Sequence, residues 1–200
     1  MAMNPDILAS QILDTLRANM KTISAQAEPQ DFQEELAKAV ANGTITTLKA
    51  SSVVGLTPAP QFLGTPGIGL VSDPNLMVLT AINFMVNLTG GGGVALPKLM
   101  ESLLAPVAAH LATSVEVESM SGFGGQGSPP IGAVPPAFQA AILAELSPQT
   151  QSNLIKSQYG LALIQALAAG LGAAMAAAVP GIVPFGSTPP SAALLVAVLK

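Results

Sequence analysis

The chain has 200 residues, of which 50% are hydrophobic, 4% are aromatic and 9% are charged, and its formal net charge is −4. A typical globular protein has about 25% charged residues, so this chain has too little charge to cover its own surface, while its apolar content disfavours intrinsic disorder. Its seven Lys and Arg residues form no basic cluster, which argues against nucleic-acid binding, and the lack of cysteine excludes disulfides and thiolate chemistry.

A surface this poor in charge must be covered by something other than water. Burial against other protein subunits and burial in lipid are the two explanations that the composition leaves open. The N-terminal region carries Asp6 and Asp14 around a periodic pattern and lacks a basic lead before an apolar stretch. We therefore expect no secretory signal, and synthesis in the cytoplasm.

Three stretches of similar design follow one another along the chain. Each pairs a proline at a helix start with a later Gly or His: Pro5 with Gly43, Pro74 with His110, and Pro136 with Gly170. The separations are 38, 36 and 34 residues, and the units repeat at about 60 to 69 residues. The spacing predicts three repeat units, over residues 1–72, 73–134 and 135–200.

The predicted fold class is α+β, mainly α. Each unit is expected to contain two helices, a short extended segment and a Pro/Gly loop. A unit of about 60 residues is only marginally stable alone, so the three units are expected to share one core. We predict a pseudo-threefold arrangement around that core, with a linear array as the alternative. Ala41, Ala108 and Ala168 would mark the shared inner positions.

Helical periodicity and proline positions give the expected helices. Residues 5–21 place apolar side chains on one face, with Asn4 as the candidate cap and Pro5 in the first turn. The remaining predicted helices cover residues 29–41, 75–88, 96–111 (bent or restarted at Pro106), 136–146 and 148–159, followed by an Ala/Gly-rich helix.

The extended segments are predicted after the second helix of each unit. Thr44–Val54 is rich in β-branched residues, and Thr113–Met120 alternates valine with glutamate, so both favour strands. The counterpart Ala173–Val179 is almost all alanine, which favours a helix, and only the repeat argues for a strand there.

The motifs that suggest chemistry have simpler interpretations. Gly122, Gly124 and Gly127 fit the dinucleotide-binding string, but Ser128-Pro129-Pro130 follows where a helix should start. His110 is the only histidine, so one chain cannot assemble a catalytic triad or a histidine-rich zinc site. Glu116 and Glu118 are expected on a solvated strand face. We predict no catalytic residues, no cofactor and no bound metal.

A membrane-inserting or lysis-type protein is the alternative function. Leu161–Val179 has 19 residues without charge, which is nearly long enough to span a bilayer. However, Ala and Gly dominate the segment, and the equivalent stretches of the other two units carry Thr, Lys, Glu and His. We therefore favour a soluble assembly.

At the level of class, the chain resembles small structural proteins of bacteriophage particles. The resemblance rests on the low charge, the lack of cysteine, the abundance of Ala, Gly, Ser and Thr, and the repeated units with long Pro/Gly loops such as GLTPAPQFLGTPGIG. It implies a non-enzymatic subunit of a virion, such as a cement, capsid-associated, neck or tail protein. Its partners would be other protein subunits, either copies of itself or different chains.

The Pro/Gly loops are the predicted contact segments, because proline-rich backbone orders on a partner at reduced entropic cost. They cover Gly55–Gly69, Gly122–Pro136 and Gly181–Pro190. The candidate partner-binding residues are Gly55, Pro58, Pro60, Phe62, Pro66, Gly122, Phe123, Pro129, Pro130, Gly181, Pro184, Phe185, Pro189 and Pro190.

Overall fold

The computed structural model describes residues 3–20, 30–55, 70–91, 93–114, 117–118, 130–180 and 195–199. This part of the chain is mainly helical, which confirms the coarse prediction of a mainly α protein. The helices are α1 (Pro5–Met20), α2 (Gln30–Lys49), α3 (Pro74–Thr89), α4 (Leu96–Ser114), α5 (Pro135–Glu145), α6 (Pro148–Lys156) and α7 (Gln158–Ala177).

The helix starts follow the capping residues in the sequence. The Asn4 side chain accepts from the backbone N–H groups of Asp6 and Ile7 at the start of α1, as expected. Asp73 caps α3 in the same way by accepting from the Asn75 N–H at 2.8 Å, with Pro74 in the first turn. Pro106 is accommodated inside α4, which runs continuously from Leu96 to Ser114.

The strand predicted over Thr44–Val54 is wrong for most of its length, because α2 continues to Lys49. The β-branched side chains of Thr44 and Ile45 are buried in the core, and this packing outweighs their preference for strands. Thr47 also donates its hydroxyl to the Gly43 carbonyl at 2.8 Å, a bond within the helix that satisfies the buried hydroxyl.

The other two predicted extended segments also begin with helix. α4 includes Thr113 and Ser114, so the segment predicted to start at Thr113 is helical at its beginning. α7 extends through Ala177, so most of Ala173–Val179 is helical. This is the structure that the alanine content favoured.

Short strands join distant parts of the chain. They are β1 (Ser52–Gly55), β2 (Leu70–Val71), β3 (Val117–Glu118), β4 (Val179–Pro180) and β5 (Leu195–Leu199). β5 lies between β1 and β3 and pairs antiparallel with both, whereas β2 pairs antiparallel with β4. The C-terminal strand thus ties together the segments that follow α2 and α4.

Six of the helices pack in a closed circuit. In order around it, the packed neighbours are α1, α2, α5, α7, α3 and α4, and α4 packs again on α1. The buried side chains of these helices form one continuous core, which includes Leu8, Leu48, Met77, Leu104 and Phe138. α6 lies outside the circuit and packs on α7.

Two glycines allow the helices of this circuit to approach closely. A Cβ atom at Gly43 of α2 would lie 2.7 Å from the backbone nitrogen of Ile142 in α5. A Cβ atom at Gly170 of α7 would overlap the backbone oxygen of Met77 in α3 and lie 3.1 Å from the Ala81 Cβ. Because backbone atoms block both positions, neither site has room for a side chain.

We expect Gly43→Ala and Gly170→Ala each to lower the free energy of unfolding by about 1–3 kcal/mol, because overpacking a tight contact outweighs the better helix propensity of alanine. The measurement is urea unfolding followed by circular dichroism. Gly91→Ala is the matched control, since a Cβ atom there meets nothing within 4 Å. Equal stability of all three variants would contradict the close contacts.

Candidate functional sites

The sequence-predicted contact residues fall mostly outside the described residues. Gly55 is the last residue of β1, and Pro130 is buried just before α5. The other twelve candidates lie in residues 56–69, 119–129 and 181–194, outside the described part of the chain, as does the glycine string at 122–127. Their proposed role as contact loops stays a prediction.

The outer side of α3 is the most apolar exposed surface on any described helix. It carries five of the eleven large apolar side chains found exposed in the described residues, and no residue of α3 is charged. We call these five residues the α3 face: Leu76, Leu79, Phe84, Val86 and Leu88, with exposed fractions between 37% and 58%.

Helix geometry explains why so much apolar surface remains outside. Another part of the α3 surface is used by the core, where Met77, Ala81 and Met85 are buried. Because α3 has no charged residue, the rest of its surface consists of apolar side chains and uncharged polar ones such as Asn75, Asn83 and Asn87. The sequence signal was the absence of charge in residues 75–88, but sequence alone could not tell which side the core would use.

A second feature is a cavity of about 780 Å³ at the end of the helix bundle where α2, α4 and α7 begin. We call it the helix-end cavity. Its apolar lining comes from five helices: Phe32 of α2, Met85 of α3, Leu99 of α4, Leu154 of α6, and Tyr159, Gly160 and Leu163 of α7. Its polar lining consists of Glu35, Gln149, Thr150, Asn153 and Ser157.

Glu35 is the charged group of the helix-end cavity and is held in place by the start of α6. One carboxylate oxygen accepts from the Ser147 backbone N–H, and the other accepts from the Thr150 hydroxyl at 2.6 Å. Burial raises the pKa of Glu35, but the hydrogen bonds from Thr150 and Ser147 outweigh it, so the pKa is lower than that of an ordinary glutamate. The side chain is therefore anionic at neutral pH.

His110 lies in a smaller cleft of about 410 Å³ between α1 and α4. The residue is only 4% exposed, and its Nε2 atom has no hydrogen-bond partner within the described residues. The cleft is lined by Gln11, Thr15, Asn19, Glu101, Ala105, Pro106, Ala109 and His110. Burial lowers the pKa of His110, so the imidazole is neutral at pH 7.

Metal-binding geometry does not arise around these groups. Over the ranges that the structure describes, no three His, Asp or Glu side chains converge as they would around a metal ion. Glu118 belongs to β3, and Glu116 lies outside the described residues.

α7 is the helix on which the membrane alternative depends. Within the described residues it is the one helix long and apolar enough to cross a membrane by length and composition. Twelve of its residues are nevertheless buried within the protein, among them Leu167, Gly170 and Leu171. It contacts α3, α5 and α6.

No protein-family model matches the chain, and comparisons with curated proteins and with solved structures found no similar sequence or fold. Function must therefore be inferred from the chain's own surfaces and cavities.

The His110 site has a consequence for stability at mildly acidic pH. As the pH falls from 7 to 5.5, the unfolded chain, with an ordinary histidine pKa of 6.5, takes up the proton before the folded chain does. Protonation of His110 therefore favours unfolding, and we expect the urea midpoint to fall over this interval.

The control for this pH effect is His110→Gln, which removes the titrating group and keeps a polar side chain. Urea midpoints at pH 7 and pH 5.5 should differ less for this variant than for the wild type. An equal fall in both proteins would assign the effect to other groups.

Proposed function

We propose that this chain is a non-enzymatic structural subunit that is built into a larger protein assembly and buries the α3 face against a neighbouring subunit. The observation that carries the proposal is the charge-free set of exposed apolar side chains on α3. Several large apolar side chains exposed on one helix are costly in water and are typical of interaction sites.

A second copy of this chain is the occupant that the chemistry of the α3 face favours. The chain has a net charge of −4, so two copies repel each other overall. α3 carries no charge that self-association would bury. Its exposed Asn75, Asn83 and Asn87 have amides that both donate and accept, so each can bond to a symmetry-related amide.

The kind of assembly is inferred from the resemblance of the sequence to small structural proteins of bacteriophage particles. Low charge, repeated units and Pro/Gly loops suggest a virion component, such as a cement, capsid-associated, neck or tail protein. The single histidine and the lack of cysteine are in keeping with a structural rather than a catalytic role.

We further infer the pseudo-threefold arrangement of three units. It is supported by the packing circuit, in which the second long helix of each unit packs on the first helix of another: α2 on α5, α7 on α3, and α4 on α1. These helices also meet at corresponding positions.

The correspondence is one of register. Ile142 lies seven residues after Pro135, the first residue of α5, and Ala81 lies seven residues after Pro74; Ile142 faces Gly43, and Ala81 lies beside Gly170 next to the closer Met77 carbonyl. The same count from Pro5 leads to Ile12, next to the Gln11 that lines the His110 cleft. A rotation of about 120° relating the three helix pairs in an experimental structure is the geometric test.

The experiment on the α3 face is a mass measurement by light scattering over a range of concentrations. The monomer mass is 20.0 kDa, and we expect the wild type to exceed it as concentration rises. Leu79→Glu should restore the monomer, because it places a charge in the apolar contact.

Ile155→Glu is the matched control, since Ile155 of α6 is 55% exposed and Leu79 is 58% exposed. It should leave the mass of the assembly unchanged. A wild-type protein that stays monomeric and highly soluble at every concentration would contradict the proposed function.

The alternative is a membrane-inserting function, favoured only by the length and composition of α7. Insertion would require α7 to leave its contacts with α3 and α5 and to expose Gly170 and Gly172 to lipid. We expect the expressed chain to remain in the soluble fraction when membranes are sedimented at a salt concentration that strips peripheral proteins. Retention in the membrane pellet would support the alternative instead.

A further inference from the structure

The helix-end cavity has the size and lining of a small-molecule site. Pockets for such ligands typically have volumes of about 300–1,000 Å³ and apolar walls with a few polar groups. The cavity falls in this range at about 780 Å³. Its walls come from separate helices, so a ligand bound there would contact α2, α3, α4, α6 and α7 together.

The apolar walls define the body of the ligand. Phe32, Leu99 and Leu163 line the cavity from three different helices, and Met85 lines it from α3. Methionine adapts to ligands of varied shape because its side chain is flexible and polarisable. These residues suit an alkyl or aryl group and offer no hydrogen bond to it.

The polar side of the cavity defines the head group. Both carboxylate oxygens of Glu35 are engaged by Ser147 and Thr150, but each can still accept a further hydrogen bond. Within the described residues Glu35 has no cationic partner, since the nearby Lys38 pairs with Glu34 at 2.8 Å. A cation that entered the cavity would therefore find an oriented carboxylate.

Two aromatic rings also favour a cationic head group. Phe32 and Tyr159 both line the cavity, and the faces of aromatic rings attract cations. An anionic head group would meet the charge of Glu35 and be repelled. We propose that the helix-end cavity binds small organic ammonium compounds, with the apolar group among Phe32, Leu99 and Leu163 and the ammonium group at Glu35.

The test compares three probes that share one apolar chain: hexylammonium, hexanol and hexanoate. Tyr159 is the only tyrosine, and the chain has no tryptophan, so intrinsic fluorescence reports from the cavity wall. We expect saturable binding of hexylammonium, weaker binding of hexanol, and the weakest binding of hexanoate.

Glu35→Gln isolates the contribution of the charge. The substitution should raise the Kd for hexylammonium about tenfold, the size expected for loss of one partly buried ion pair, and leave the Kd for hexanol within about twofold. Asp14→Asn is the control, because it removes one carboxylate charge from an exposed side chain of α1 that does not line the cavity. It should leave both Kd values unchanged.

Gln149→Lys provides a second variant in case Glu35→Gln unfolds the protein, since Gln149 is exposed and lines the cavity. The new ammonium group should weaken binding of hexylammonium and strengthen binding of hexanoate. Equal affinities of the wild type for hexylammonium and hexanoate, or no saturable fluorescence change, would overturn the proposal. This outcome is independent of the mass measurement on the α3 face.

Discussion

The close contact between α7 and α3 is the interaction on which the rest of the fold depends. α7 can lie against the backbone of α3 only because residue 170 is glycine, which leaves no side chain between the helix and the Met77 carbonyl. Gly172 does the same on another side, where a Cβ atom would lie 2.5 Å from the ring of Pro135 at the start of α5. Small residues therefore set the helix spacing, and dispersion contacts between closely packed atoms replace the larger apolar side chains of an ordinary core.

This mode of packing accounts for both the composition and the surface of the chain. Ala and Gly let α7 bury twelve residues without any large aromatic side chain. The larger apolar residues of α3 are then divided between two sides, and Met77 and Met85 occupy the inner one. Leu79 and Leu88 remain exposed, and a partner subunit would cover them in the proposed assembly. In this proposal the low charge of the sequence reflects a surface shaped for assembly.

Sequence reasoning predicted the helices well where local signals were strong. Asn4 and Pro5 mark the start of α1, and the Pro74 start of α3 follows from the same chemistry. It failed at Thr44–Val54, because strand propensity is a local quantity and the burial of Thr44 and Ile45 is not.

The candidate sites could be identified only in the structure, for a similar reason. The helix-end cavity joins Phe32 to Tyr159, which are far apart in sequence and share no motif. The hydrogen bond from Thr150 to Glu35 likewise spans 115 residues. Absence of charge marked α3 as unusual, but the choice between an inner and an outer side depends on what α7 covers. Sequence motifs therefore could not predict which side of α3 is exposed.

His110 would make one interface of the proposed threefold arrangement differ from the other two. In the proposed threefold arrangement, Gly43 and Gly170 let two of the interfaces close tightly, and His110 occupies the corresponding place in the third. An imidazole cannot fit where a Cβ atom already meets backbone, so α1 and α4 are separated there by a cleft of about 410 Å³. The buried Nε2 atom has no partner within the described residues, which costs stability unless water or a ligand in the cleft satisfies it. Three related units would thus form one core whose interfaces differ in packing, polarity and response to pH.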